Sequence, residues 1–265
     1  MIRDKHSLKR LLGPALALCL AAVALPARPG SAGPGRSGIF DFGLRVFGPS
    51  SLHVAPNPAD SPSVFSADKG KLRITIKGQT VGSEDFEISQ SGGDWIERSS
   101  MSAHAPGGVE IKATGQLKLS ADGTPIRYDW SAEAQKKATG FVDFVSGTAK
   151  CSADLGMPSI LRKDFVFTSP RIAVLDNNLY YQFGVLARVY DWKARGKQTF
   201  PVVIPQDMVP GTISVESLGP QQAGNGKYEA VRVSSTDLEI MVYLDANHRM
   251  MRLQVPSSDV TIERE

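Results

Sequence analysis

Val109-Glu110-Ile111-Lys112-Ala113-Thr114-Gly115-Gln116-Leu117-Lys118-Leu119 runs through Ser120-Ala121-Asp122-Gly123-Thr124-Pro125 into Ile126-Arg127-Tyr128-Asp129-Trp130-Ser131-Ala132-Glu133. In the first run Val109, Ile111, Ala113, Leu117 and Leu119 share one phase, with Lys112, Thr114, Gln116 and Lys118 opposite. In the second, Ile126, Tyr128, Trp130 and Ala132 alternate with Arg127, Asp129, Ser131 and Glu133. A period of two is the mark of a strand with one buried face. Asp122-Gly123 between the runs is a hairpin turn, because glycine accepts the positive φ that a tight turn needs. Two such strands a short turn apart pair antiparallel.

The same grammar extends in both directions. Leu72, Ile74 and Ile76 alternate with Lys71, Arg73, Thr75 and Lys77, and Ser91-Gly92-Gly93 and Pro106-Gly107-Gly108 mark turns farther along. Downstream, Thr199-Phe200-Pro201-Val202-Val203-Ile204-Pro205 is a short strand framed by prolines. Strand-like runs then come near 212–218, 227–234, 237–244, 249–255 and 259–263, with Gly224-Asn225-Gly226 and Asp245-Ala246-Asn247 as turns. One segment departs from this pattern. Over 172–190 the apolar residues Ile172, Leu175, Leu179, Phe183, Leu186 and Tyr190 fall at helical spacing. Ser169-Pro170 or Asp176 suits its start, and Arg188, Lys193, Arg195 and Gly196 suit its end. The expected fold is therefore mainly β: an antiparallel curved sheet or open half-barrel of about eleven to thirteen strands wrapped around one α-helix. The concave face of such a sheet is apolar, and a partly filled concavity is where a hydrophobic ligand sits.

Upstream, residues 1–27 read as a signal peptide. A basic start with Arg3, Lys5, Lys9 and Arg10 precedes an apolar run over 11–25, and small residues stand at Ala22, Ala24 and Ala27. About fifteen apolar residues are short for a membrane span. Leu18 before Cys19 is a poor match to a lipoprotein signal. The chain has a formal charge of +3, and the leader carries all of it, so the mature chain is neutral. Neutrality removes the electrostatic argument for nucleic-acid binding. Export also removes Cys19 and leaves Cys151 without an internal disulfide partner, so that Cys151 is read as a small buried hydrophobe. Residues 28–62 hold six prolines and six glycines, the composition of a linker or arm. Within it, Ile39, Phe40, Phe42, Leu44, Val46 and Phe47 form an apolar island that reads as a strand or a docking segment. The β domain is expected over 63–265, with its helix near 172–190.

Three stretches carry a resemblance. Lys77-Gly78-Gln79-Thr80-Val81-Gly82-Ser83-Glu84-Asp85-Phe86-Glu87-Ile88 is similar to the opening hairpin of a family of exported bacterial proteins of unassigned function. Val242-Tyr243-Leu244-Asp245 through Arg252-Leu253-Gln254-Val255-Pro256 resembles that family's closing hairpin. Leu175-Asp176-Asn177-Asn178, then Arg188-Val189-Tyr190-Asp191-Trp192 and Phe200-Pro201-Val202, resembles its middle. The resemblance spans roughly 70–262 and implies a half-barrel similar in shape to periplasmic lipoprotein carriers that hold acyl chains. It implies no catalytic residues.

Catalytic signatures are missing. The chain has no H-E-x-x-H, G-x-S-x-G, phosphate-binding loop or dinucleotide fingerprint. His53, His104 and His248 have no ligand spacing, so neither a metal nor a cofactor is expected. Ser66-Ala67-Asp68-Lys69 fits S-x-x-K, but that chemistry needs a helix start and this stretch reads as a turn before a strand. Glu84, Asp85 and Glu87 read as solvated strand carboxylates. Trp95, Tyr128, Trp130, Phe183 and Tyr243 are the candidate lining of a ligand cavity, with aromatic core packing as the other reading. Arg188, Lys193 and Arg195 are candidates for an anionic head group, though cations also suit a helix C-terminus. The expected role is an exported cell-envelope protein, in the periplasm or outside the cell, that binds or carries a lipid-like ligand and has no catalytic activity. A structural or assembly protein of the envelope, with an envelope protein as partner, is the alternative, and a hydrolase ranks below both. An outer-membrane barrel also alternates apolar residues. The helix, the 8% aromatic content and the ending Glu263-Arg264-Glu265 weigh against it.

Overall fold

The hairpin of residues 109–133 lies within one long sheet. A computed structural model describes residues 63–105, 108–236 and 238–265; the expected leader and arm lie outside the described residues. In chain order the strands are β1 (Asp68–Ile76), β2 (Gln79–Ser91), β3 (Asp94–His104), β4 (Glu110–Leu119), β5 (Pro125–Glu133), β6 (Lys137–Val145), β7 (Thr148–Asp154), β8 (Leu161–Val166) and β9 (Ala173–Val174). After the helix α1 (Tyr181–Val189) come β10 (Lys197–Ile204), β11 (Val209–Ala223), β12 (Gly226–Ser234), β13 (Glu239–Leu244), β14 (Met250–Val255) and β15 (Val260–Arg264).

These 15 strands make one open sheet in the order β8-β7-β6-β5-β4-β3-β2-β1-β15-β14-β13-β12-β11-β10-β9. The two ends of the domain meet in its middle, where β1 pairs antiparallel with β15 and Ile74 lies opposite Ile262. Every pairing is antiparallel except that of the two-residue β9 with β10. Strand alternation holds as expected: in β4, Ile111, Ala113, Leu117 and Leu119 are buried while Glu110, Lys112, Thr114 and Gln116 are exposed. Gly123, at φ +87°, turns the chain from β4 into β5. The sheet curls so that β9 comes back against β5, with α1 enclosed.

The sequence expectation errs in two places. The described residues hold 15 strands against the eleven to thirteen expected, because β8 and β9 lack an alternating apolar signal. The helix covers only Tyr181–Val189 rather than 172–190. Ala173 and Val174 pair instead with Val202 and Val203, and the Asp176 side chain accepts the Asn178 N–H at 2.7 Å, which fixes a turn before the helix begins. The whole of α1 is buried, so it lacks the polar face of a surface helix.

Candidate functional site

The helix is held at both ends by charged groups from the sheet. At its N-terminus the Glu84 carboxylate, on β2, accepts the backbone N–H groups of Tyr180 at 2.7 Å and Tyr181 at 3.1 Å. It thus satisfies donors that no helical carbonyl can reach. At the other end Arg188 turns inward to Asp68, at the start of β1, at 2.9 Å, with both side chains 2% exposed. Arg264 of β15 grips the second oxygen of Asp68 at 2.6 Å, and the Tyr181 hydroxyl donates to the first at 3.1 Å. One carboxylate therefore ties the helix to the β1–β15 seam.

A second cluster surrounds the helix N-terminus. Ser99 donates to Glu97 at 2.5 Å on β3. The Tyr128 hydroxyl on β5 donates to Asp176 at 2.5 Å, and Gln206 donates to the same oxygen. The backbone N–H of Asp176 donates to the Gln182 side-chain oxygen at 2.5 Å. Gly115 is required beneath this cluster, since a Cβ there would lie 2.6 Å from the Tyr128 hydroxyl. Burial pushes the Glu84 carboxyl up to about 7, against the opposing bonds from the Tyr180 and Tyr181 backbone N–H groups. Burial pushes Glu97 further, up to about 8, against its Ser99 bond and with the charges of Glu84 and Asp176 adding to the rise. Asp176 is raised in the same direction by burial, opposed by the Tyr128 bond. Asp68 behaves in the opposite way: burial alone would raise it, but the Arg264 bond and the Arg264 and Arg188 charges hold it below the usual carboxylate range.

Of the three raised carboxyls, Asp176 borders open space. Beside it an apolar slot of about 50 Å³ runs between α1 and strands β10–β13, lined by Phe183, Val202, Ile204, Ile213, Leu238 and Ile240. Asn177, Asp207 and Ser234 stand among the polar groups that also line it. A wider, polar trough of about 660 Å³ lies over β2–β5, where Asp85, Ser100, Thr114 and Ser131 form one row across the strands and Glu87, Arg98, Gln116 and Asp129 a second. Among the described residues no group of three His, Cys, Asp or Glu side chains is placed to hold a metal ion.

The structure separates the residues that the sequence grouped. Phe183 lines the slot. Tyr128 is fully buried on Asp176, Trp95 packs at 5.9 Å from Phe65, and Trp130 borders the trough. Tyr243 lies in a separate small cluster with Tyr228, Ala223 and Ala230. Arg188 is buried against Asp68, whereas Lys193 and Arg195 are exposed beyond the helix end, so the three do not form one cationic group. Ser66 and Lys69 lie in extended chain at the start of β1, not on a helix, so the S-x-x-K geometry is absent. Glu84, read from sequence as solvated, is fully buried. Glu97 went unnoticed although it shares the inward phase of Trp95 and Met101, and that phase was the available signal. The slot had no signal, because its walls come from six separated segments.

No protein-family model and no curated protein sequence matches the chain. The crystal structure of a β-barrel-like protein of domain of unknown function DUF1849 from Brucella abortus superposes with a TM-score of 0.53 at 10% identity, over 75% of this chain and 94% of that one. A DUF1089-family protein from Pseudomonas aeruginosa gives 0.41 at 10% identity, over 81% and 97%. The first likeness shows a shared barrel-like fold, in keeping with the resemblance noted in the sequence.

Proposed function

We propose that the mature chain is an exported cell-envelope module that binds a lipid-like ligand by one end, in the slot beside Phe183. The observation that carries this reading is the slot itself, walled by aliphatic side chains with polar groups gathered near Asp176 and Asn177. That is the arrangement of an apolar-ligand site, a hydrophobic lining with a few orienting polar groups. Its size limits the ligand. At about 50 Å³ it is far smaller than ordinary small-molecule pockets, which run to roughly 300–1,000 Å³. It takes the methyl end of a chain, and the remainder of the ligand lies outside the curl. The concave face itself is filled by α1 and by Tyr128, Tyr181 and Phe86, with Phe86 stacked on Tyr181 at 3.7 Å. The leader supplies the export half of the proposal.

Native mass spectrometry of the mature protein taken from its own periplasm, with titration by a fluorescent fatty acid, tests the reading. Leu238→Trp, at the half-buried rim, is expected to plug the slot and abolish probe binding with the melting temperature unchanged. Wild-type protein that retains no added mass and leaves the probe's fluorescence unaltered overturns it.

A further inference from the structure

The curl that brings β9 against β5 leaves β6, β7 and β8 beyond the line of closure. This flap ends in β8, and among the described residues no strand pairs with its outer side. Phe167 donates its N–H back to the Gly147 carbonyl at 2.8 Å, and backbone groups alternate in direction along an antiparallel strand. Those of Arg162, Asp164 and Val166 therefore point away from β7, along the free edge. Charge normally blunts such an edge, and Arg162, Lys163 and Asp164 supply it. Yet Val166 is 82% exposed and Ile160, just before the strand, 49%. Blunting by charge does not explain two apolar side chains left open at opposite ends of one edge.

Ile160-Leu161-Arg162-Lys163-Asp164-Phe165-Val166 is complementary to its own reverse. Two copies laid antiparallel about Lys163 set Ile160 opposite Val166, Leu161 opposite Phe165 and Arg162 opposite Asp164, each pair occurring twice. The faces agree as well. Leu161 and Phe165 lie opposite the buried Ala153 and Ala149 of β7, so their pair extends the inner face. Ile160, Arg162, Asp164 and Val166 take the outer phase, where the two exposed apolar side chains cover each other and the ion pairs stand between them. A shift of the register by two residues either way puts Asp164 opposite Asp164 or Arg162 opposite Arg162. Lys163, which meets its own copy in the favoured register, is drawn aside within its chain. Its ammonium reaches the Met208 carbonyl at 3.3 Å and lies 5.1 Å from the centroid of the Phe165 ring.

We propose that the outer edge of β8 is a self-association site, where a second copy of this chain adds its own β8 antiparallel about a two-fold axis at Lys163. The two sheets then run on as one across the axis, and the same patch serves both partners. Backbone pairing supplies affinity and the side-chain pairs supply register, as in strand addition generally. An edge six residues long makes a small interface, so the association belongs to the weak, reversible class.

Sedimentation velocity of the mature chain, from about 1 µM to about 1 mM, is expected to show a monomer–dimer equilibrium. Asp164→Arg sets like charges opposite each other at two places and is expected to weaken the dimer at least about tenfold. Arg162→Asp/Asp164→Arg exchanges the charges, keeps both ion pairs and is expected to restore the dissociation constant to within about threefold of the unmodified chain. Ile160→Cys/Val166→Cys is expected to give a covalent dimer under mild oxidation, because the two positions lie about 20 Å apart within one strand but face each other between copies. A monomer at every concentration, a dimer indifferent to Asp164→Arg, no recovery in the exchanged variant, or no covalent dimer would each overturn the proposal.

Discussion

The Glu84 carboxylate accepts the backbone N–H of Tyr180 at 2.7 Å, so a side chain on the second strand caps a helix 96 residues later in the chain. The same carboxylate takes the N–H of Tyr181, and neither donor has water to turn to. The cap therefore comes from the sheet, not from the residues before the helix. Tyr180, at the N-cap position, supplies no side-chain cap of its own.

Removing that cap strands two buried donors. Glu84→Ala is expected to destabilise the domain by about 2–4 kcal/mol, the cost of unsatisfied buried groups plus a lost cap. Glu84→Gln keeps an accepting oxygen and is expected to lose less. Urea unfolding with a common m-value checks both, and equal stability of Glu84→Ala and wild type would refute the capping role.

Stability falls as the pH rises through neutrality. Glu84 and Glu97 have an unfolded-state value of 4.5 and are raised to about 7 and about 8 in the folded chain. The folded state thus holds protons that the unfolded state has released, and the stability from these groups is full below about 4.5 and gone above about 8. Asp68 runs the other way: its folded value lies below 3.8, so its contribution is present above that pH and lost under it. The stability maximum is expected in mildly acidic solution, near pH 4–5. Melting temperatures across pH 4–9 test this, and Glu97→Gln is expected to flatten the fall above pH 5.

Asp68 is the tie between helix and seam. Asp68→Asn leaves Arg188 buried without a counter-charge and is expected to cost about 3–5 kcal/mol, as for other broken buried pairs. Asp68→Asn with Arg188→Met is expected to recover part of that loss, because the stranded charge goes too. A double-mutant cycle in urea measures the coupling, and strictly additive losses would show that the pair is not energetically linked.

Cys151 lies 3% exposed in β7, and burial pushes its thiol up to about 11. It is expected to resist thiol reagents at pH 8 in the folded protein and to react stoichiometrically in denaturant. Rapid labelling of the native chain would contradict its placement as a packed hydrophobe.

Local pattern determined much of this protein. Alternation such as Ile111, Ala113, Leu117 and Leu119 against Lys112, Thr114 and Gln116 predicts β4 because the strand period is a property of the backbone, and Asp122-Gly123 predicts its turn for the same reason. Between Phe183 and Leu186 the helical spacing is equally local, and the helix is there. Tertiary structure alone decided where polar side chains point and what they meet. Glu84 and Asp85 are neighbours in sequence with similar chemistry, yet one is sealed beneath α1 and the other exposed. Strand phase assigns them to opposite faces, but only the curl of the sheet makes one face an interior. Arg188 shows the same limit: at a helix end a cation suits solvent by the dipole rule, and here the carboxylate of Asp68, itself held by Arg264 from the other end of the domain, draws it inward. Charges are placed by the partners that long-range folding brings within bonding distance, and no short window of sequence contains those partners.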